Sequence, residues 1–166
     1  VAEFAFGLLL NLTRKIYQAI VQIKERESFS LDGLRGIDLK GKTIGIIGTG
    51  RIGKEMIKIA KGFGMEIIAF DAFRDVAAAN DLGFIYLPLE DLLKQSDIIS
   101  VHCPLTDETR HLINMDNVNL MRKGAYLINT ARGPIVETAA LVWALQNGIL
   151  AGAGVDVLEE EGETKD

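Results

Sequence analysis

The chain has one cysteine, Cys103, and only two histidines, His102 and His111. A lone thiol excludes an internal disulfide framework. With no Cys/His cluster at zinc-like spacing no metal is expected either, and a reducing cytoplasm is the default compartment. A basic excess is also missing: 18 Lys and Arg face 23 Asp and Glu, a net charge of -5 with the signs interspersed. Nucleic acid is therefore not an expected partner, because phosphate binding calls for a basic face. The one charge run, Glu159 to Asp166, is acidic. No apolar run reaches the roughly 20 residues a bilayer takes. The apolar start, Val1 to Leu12, carries Glu3 and lacks the basic leader and small-residue cleavage site of a signal. Membrane association is not expected.

What remains is one domain without internal repeat, low-complexity tract or linker. Its length suffices to bury roughly two thirds of the surface the unfolded chain would expose. Helical periodicity runs from Val1 to Arg26, with Phe4, Ala5, Leu8, Leu9, Leu12, Ile16, Ile20 and Ile23 in one broad apolar stripe. So wide a stripe needs a partner surface, either in its own domain or across a subunit or domain contact. Short apolar runs then alternate with helical patterns: strands at 43–47, 65–70, 83–86, 97–101, 124–129 and 149–157, and helices after residue 50 and over 75–81, 88–95, 114–121 and 138–147. The strand runs are nearly continuous in apolar character, which reads as an α/β fold with a doubly wound parallel sheet buried on both faces.

The first strand runs into Gly48-Thr49-Gly50-Arg51-Ile52-Gly53. That is the G-x-G-x-x-G spacing, with Gly48 for the turn, Gly50 for approach to a pyrophosphate and Gly53 for contact between helix and strand. Ile52, Met56, Ile57, Ile59 and Ala60 form the apolar face of the helix it opens. The next strand ends at Asp71, 71 − 53 = 18 residues past the last glycine. An acid about 20 residues on accepts hydrogen bonds from an adenosine ribose, and its charge repels a 2′-phosphate, so NAD is the expected cofactor. The other reading of Asp71 is an ordinary turn residue at a strand end.

In open parallel sheets ligands bind beyond the carboxyl ends of the strands. Those ends carry the glycine turn, Asp71, His102-Cys103-Pro104, Asn129-Thr130-Ala131-Arg132-Gly133 and Asp156. Arg132, on a stiff turn before Gly133-Pro134, is placed to grip a carboxylate through two parallel hydrogen bonds; alternatively it caps a helix or pairs with Asp156.

These stretches, together with Gly154-Val155-Asp156-Val157-Leu158-Glu159-Glu160-Glu161, resemble the successive signatures of the NAD-dependent D-2-hydroxyacid dehydrogenases, in order and over essentially the whole chain. The resemblance implies a Rossmann-type NAD-binding domain and assigns roles. Arg51 and Ile52, with Gly48, Gly50 and Gly53, hold the pyrophosphate, and Asp71 the ribose. Cys103, Pro104 and, less closely matched, Thr109 line the path to the nicotinamide, while Thr130, Ala131 and Arg132 lie under its ring and Asp156 near its carboxamide. Arg132 binds the substrate carboxylate and polarises the carbonyl, and Glu161 supports a catalytic histidine. It further implies a small 2-hydroxy or 2-oxo acid substrate and a homodimer formed through this domain over the apolar helix.

One departure stands out. The family's histidine lies beyond the position of Glu161, where this chain has none; His102 occupies a structural position, and His111 reads as a loop or helix-start residue. The chain is expected to be the cofactor domain of a larger enzyme, inactive alone. Residues 1–26 would serve as an interdomain or dimer helix and 157–166 as the start of the crossing to a substrate domain. Gly162 follows Glu161 where many relatives place proline. With the tail staying acidic, this is similar to the D-lactate dehydrogenase branch of the family, which favours D-lactate/pyruvate, with 3-phosphoglycerate or glycerate next. The competing reading is a dinucleotide-sensing corepressor on the same scaffold.

Overall fold

The computed structural model describes residues 1–26 and 29–159. Six strands form one sheet: β1 (Thr43–Ile47), β2 (Glu66–Phe70), β3 (Ile85–Tyr86), β4 (Ile98–Val101), β5 (Ala125–Asn129) and β6 (Leu150–Val155), in the order β3-β2-β1-β4-β5-β6. Every pairing is parallel, from Ile68 opposite Ile85 at one edge to Asn129 opposite Val155 at the other. Strand order reverses between β1 and β4, so the crevice opens between their carboxyl ends.

Side chains alternate along each strand, and here the alternation feeds two cores. Ile44, Ile46, Ile67, Ala69, Ile98, Tyr126 and Ile128 enter one; Ile47, Ile68, Ile99, Val101 and Leu127 enter the other. The first core is covered by α1 (Ala2–Thr13), α3 (Arg51–Gly62) and α4 (Val76–Leu82), the second by α5 (Leu89–Gln95) and α6 (Thr138–Gln146). Burial on both faces explains the unbroken apolar runs, and each fully buried Ile or Leu contributes about 1.5–3 kcal/mol.

Three sequence expectations are corrected. The helix expected over residues 1–26 is two helices, α1 and α2 (Ile16–Arg26), broken where Lys15 takes a left-handed φ of 57° and Asn11 Oδ1 accepts the Tyr17 N–H at 3.0 Å. The stripe therefore has two fates. Ala2, Ala5, Phe6 and Leu9 are buried in the domain, whereas Ile16, Tyr17, Ile20 and Ile23 are exposed. The helix expected over 114–121 is only a 3-10 turn, Val118–Leu120. Asparagine side chains take the backbone groups a helix would use: Asn117 Oδ1 accepts the Asn114 N–H, Asn114 Oδ1 that of Asp116, and Asn117 Nδ2 donates to the Leu112 carbonyl. The strand expected to reach Val157 ends at Val155. Asp75, in contrast, caps α4 as a helix start should, accepting the Ala78 N–H at 2.9 Å.

Candidate functional site

At the end of β1, Gly48 adopts φ 94° and donates its N–H to the Phe70 carbonyl. A Cβ there would lie 2.5 Å from the Cys103 nitrogen, and one on Gly53 would lie 2.0 Å from the Gly48 oxygen. Both glycines are thus required for β1, β4 and α3 to close together. Gly50 is different: nothing lies within 4 Å of a Cβ built on it. No side chain caps α3, so the amides of its first turn open onto free space flanked by exposed Arg51 and Ile52. An anionic diphosphate fits that arrangement. Ile52, counted in the sequence on the helix's apolar face with Met56 and Ile57 and by resemblance beside the pyrophosphate, is 40% exposed and lines the crevice, because the helix turns its Gly53 face to the sheet.

Past β2, Asp71 Oδ2 accepts the Thr49 N–H at 2.6 Å and the Thr49 hydroxyl at 3.0 Å, while Oδ1 accepts the Phe73 N–H at 2.9 Å. The bond to Phe73 is the turn role that sequence allowed, and the bonds to Thr49 tie the same carboxylate to the glycine loop. Thr49's part went unread in the sequence, since it occupies an unspecified position of the motif.

Beyond β4 and β5 lies a crevice of ≈ 470 Å³ lined by Ile52, His102, Cys103, Pro104, Leu105, Thr130, Ala131 and Arg132, with Val1 at its edge. It adjoins a second, of ≈ 610 Å³, that takes in Gly50 and Arg51 and shares Ile52 and His102. The fold thus gathers Gly50, Arg51, Ile52, Cys103, Pro104, Thr130, Ala131 and Arg132 along one path. Buried Asn129 shapes its far end: Oδ1 accepts the Ala131 N–H and Nδ2 donates to the Arg132 carbonyl, both at 3.0 Å. Arg132 itself is exposed, Nη1 donating to the Ala131 carbonyl at 2.6 Å, and it forms no ion pair among the described residues. Neither the pairing with Asp156 nor a helix-capping bond is made. Among the described residues the buried Thr130 hydroxyl has no partner, an orphan of the kind a bound group satisfies.

Other expected residues sit elsewhere. Thr109 braces the turn, donating its hydroxyl to the Pro104 carbonyl at 2.7 Å, and does not line the crevice. Asp156 follows β6 with an exposed side chain, its N–H on the Asn129 carbonyl. Glu161 lies outside the described residues. A Cβ on Gly133 would lie 2.0 Å from the Leu158 oxygen, so the chain leaving β6 rests directly on the residue after Arg132. Glu159 secures that contact, with Oε1 2.5 Å from His111 Nε2 and Oε2 accepting the Thr138 N–H at 2.5 Å. Burial works to raise the Glu159 carboxyl, but bonds from Thr138 and His111 outweigh it and leave it below the usual range. His111 and Glu159 are 48 residues apart, beyond any local pattern.

His102 hydrogen-bonds Ser100 through Nε2 at 2.8 Å, and its buried Nδ1 has no partner among the described residues. Burial pushes its pKa down to about 4, so it stands neutral. Burial likewise pushes the Cys103 thiol up to about 11, which leaves it protonated and a poor nucleophile. Among the described residues no group of His, Cys, Asp and Glu could hold a metal ion, and no helix is long and apolar enough to cross a membrane.

A family model for the D-isomer specific 2-hydroxyacid dehydrogenase, NAD binding domain, matches residues 6–166. D-Lactate dehydrogenase of Escherichia coli is 44% identical over 161 residues, covering 97% of this chain and 48% of the relative. Glyoxylate reductase of Aeropyrum pernix is 46% identical over 166 residues, covering 96% and 50%. Among solved structures, D-lactate dehydrogenase from Aquifex aeolicus complexed with NAD and lactic acid superposes with a TM-score of 0.89 at 40% identity, covering 96% of this chain and 47% of that one. The chain spans about half the length of the curated relatives it matches. On its parallel sheet, glycine loop and matching sequence, the chain belongs to the D-isomer specific 2-hydroxyacid dehydrogenases and is their NAD-binding domain, of Rossmann type.

Proposed function

We propose that this domain serves an oxidoreductase that interconverts a small D-2-hydroxy acid and its 2-oxo acid, with D-lactate and pyruvate first and glycerate or 3-phosphoglycerate next. The observation that carries this reading is Arg132, which pairs with no carboxylate among the described residues and lines the crevice on a bend that Asn129 clamps. Its planar guanidinium offers parallel N–H donors matched to a substrate carboxylate, and its charge favours a developing alkoxide over a neutral ketone. NAD, when bound, supplies or accepts the hydride. Gly50 and the α3 amides would hold its diphosphate with Arg51 and Ile52 beside them, Asp71 its ribose, and Cys103, Pro104, Thr130, Ala131 and Asp156 its nicotinamide end. Thr109 acts only by bracing Pro104.

Neither histidine here is the proton donor. His102 is buried and neutral, while His111 is bound to Glu159 and does not line the Arg132 crevice. That role belongs to a histidine outside this chain, with Glu161 as its carboxylate partner, supplied by the substrate domain to which residues 157–166 lead. The exposed α2 face, with Ile16, Tyr17, Ile20 and Ile23, supports a homodimer; light scattering that returns a monomer at high concentration counts against it. No observation favours the corepressor reading.

The test is NADH oxidation with a panel of 2-oxo acids. The 166-residue chain should bind NADH without turnover, and the longer enzyme carrying it should reduce pyruvate with the highest kcat/KM. Steady turnover by the chain alone, or preference for a substrate without a carboxylate, overturns the reading.

A further inference from the structure

Asp71 is the end of a single file of hydrogen bonds. Thr49 Oγ1 lies 3.0 Å from Asp71 Oδ2 and 2.8 Å from the Tyr86 hydroxyl, which lies 3.0 Å from the Asp75 backbone nitrogen. The direction of every bond follows from the two ends. A backbone N–H can only donate, a carboxylate only accepts, and each hydroxyl has one proton. Asp75 N–H therefore donates to Tyr86, Tyr86 to Thr49, and Thr49 to Asp71. Reversing the Tyr86–Thr49 bond would set the Thr49 oxygen against Asp71 Oδ2 without a proton between them. Bonds aligned head to tail polarise one another, so the file is stiffer than its members taken singly.

Its far end is anchored in two helices. Asp75 caps α4 through Oδ1 and takes the Lys54 ammonium of α3 on Oδ2 at 2.6 Å. Tyr86 is the last residue of β3, its ring in edge contact with Phe84 and beneath the Arg74 guanidinium. Thr49 is buried and gives the same Asp71 oxygen its backbone N–H as well. One carboxylate oxygen is thus held by two donors from one residue, and that residue's hydroxyl is itself oriented from β3.

We propose that Thr49 and Tyr86 set which nicotinamide dinucleotide the domain accepts, by preventing the Asp71 carboxylate from turning aside. This rests on the reading of Asp71 as the ribose acid. A carboxylate free to rotate can retreat from an added 2′-phosphate and lessen the repulsion. One pinned through Oδ2 cannot retreat, so its charge works against NADP while spare lone pairs stay available to ribose hydroxyls. Thr49 and Tyr86 are positioning residues, acting through Asp71.

The experiment is fluorescence titration of the chain with NADH and NADPH, each variant checked for fold by circular dichroism. Tyr86→Phe keeps the ring and its packing but removes the relayed proton, Thr49→Val removes the hydroxyl, and Thr49→Ser restores it. In Tyr86→Phe and Thr49→Val, each of which removes two bonds of the file, the ratio of the NADPH to the NADH Kd should fall about tenfold, and Thr49→Ser should keep the original ratio. Should Thr49→Val not fold, Tyr86→Phe carries the test alone. An unchanged ratio, or equal weakening of both Kd values, overturns the proposal while leaving the cofactor reading intact. Failure of the unaltered chain to bind NADH, or an unchanged ratio in Asp71→Asn, overturns the reading beneath it and the proposal together.

Discussion

Asp71 and Arg132 each follow the carboxyl end of a parallel strand, yet their surroundings are built to opposite plans. The Asp71 carboxylate has three donors from its own chain and is oriented by a file of bonds reaching to α4. Among the described residues Arg132 reaches only the carbonyl of its neighbour, and beside it the Thr130 hydroxyl and His102 Nδ1 have no partner. The difference teaches how labour divides in such a molecule. On the reading proposed above, recognition of a constant group would be completed inside one domain, while the reacting end would keep most of its guanidinium donors for the substrate. Preorganised but unspent donors are what a developing charge requires.

The sharpest way to break this contrast is at Arg132. In the longer enzyme, Arg132→Lys should lower kcat/KM for a 2-oxo acid roughly 10³-fold, because a point charge cannot reproduce the guanidinium fork. NADH titration of the same variant should return a Kd within about twofold of the original. Parallel losses in both would mean that the two ends are not separable.

His102 tests the reacting end through stability. Its pKa is about 4 in the folded chain against the ordinary 6.5. Between those values the unfolded chain binds a proton that the folded chain refuses, so stability should fall as pH drops through the window and level off below about 4. The loss amounts to about 3 kcal/mol at about 1.4 kcal/mol per pH unit. Urea unfolding across that range measures it, and His102→Gln should flatten the slope; an unaltered slope would assign the acid sensitivity to another group.

Asn129→Ala gives the smallest effect. It removes the two bonds that shape the Arg132 bend and leaves the Ala131 N–H without its acceptor, at a cost of about 1–2 kcal/mol in unfolding free energy. Activity of the longer enzyme should decline more than NADH affinity. Equal declines would show that Asn129 supports the whole crevice and not its reacting end alone.

Much of this was legible in the residues because it is local. The alternation of apolar runs and helical faces announces the parallel sheet, and Gly48, Gly50 and Gly53 are recognisable because sterics forbid other residues at two of those places and leave the third open. What the sequence hid depends on contacts across the chain or on single torsions. The break at Lys15 interrupts a stripe whose period continues through it, so nothing in the pattern marks it. At 114–121 the apolar spacing is helical, but Asn114 and Asn117 satisfy the backbone otherwise. Tyr86 meets Thr49 from 37 residues away and Glu159 meets His111 from 48, pairings that exist only once strand order is known.

The close seat of Leu158 on Gly133 carries one more consequence. Because no methyl fits between them, the segment leaving β6 and the guanidinium-bearing bend are seated on one another. Any side chain larger than a hydrogen at position 133 would therefore have to displace both at once.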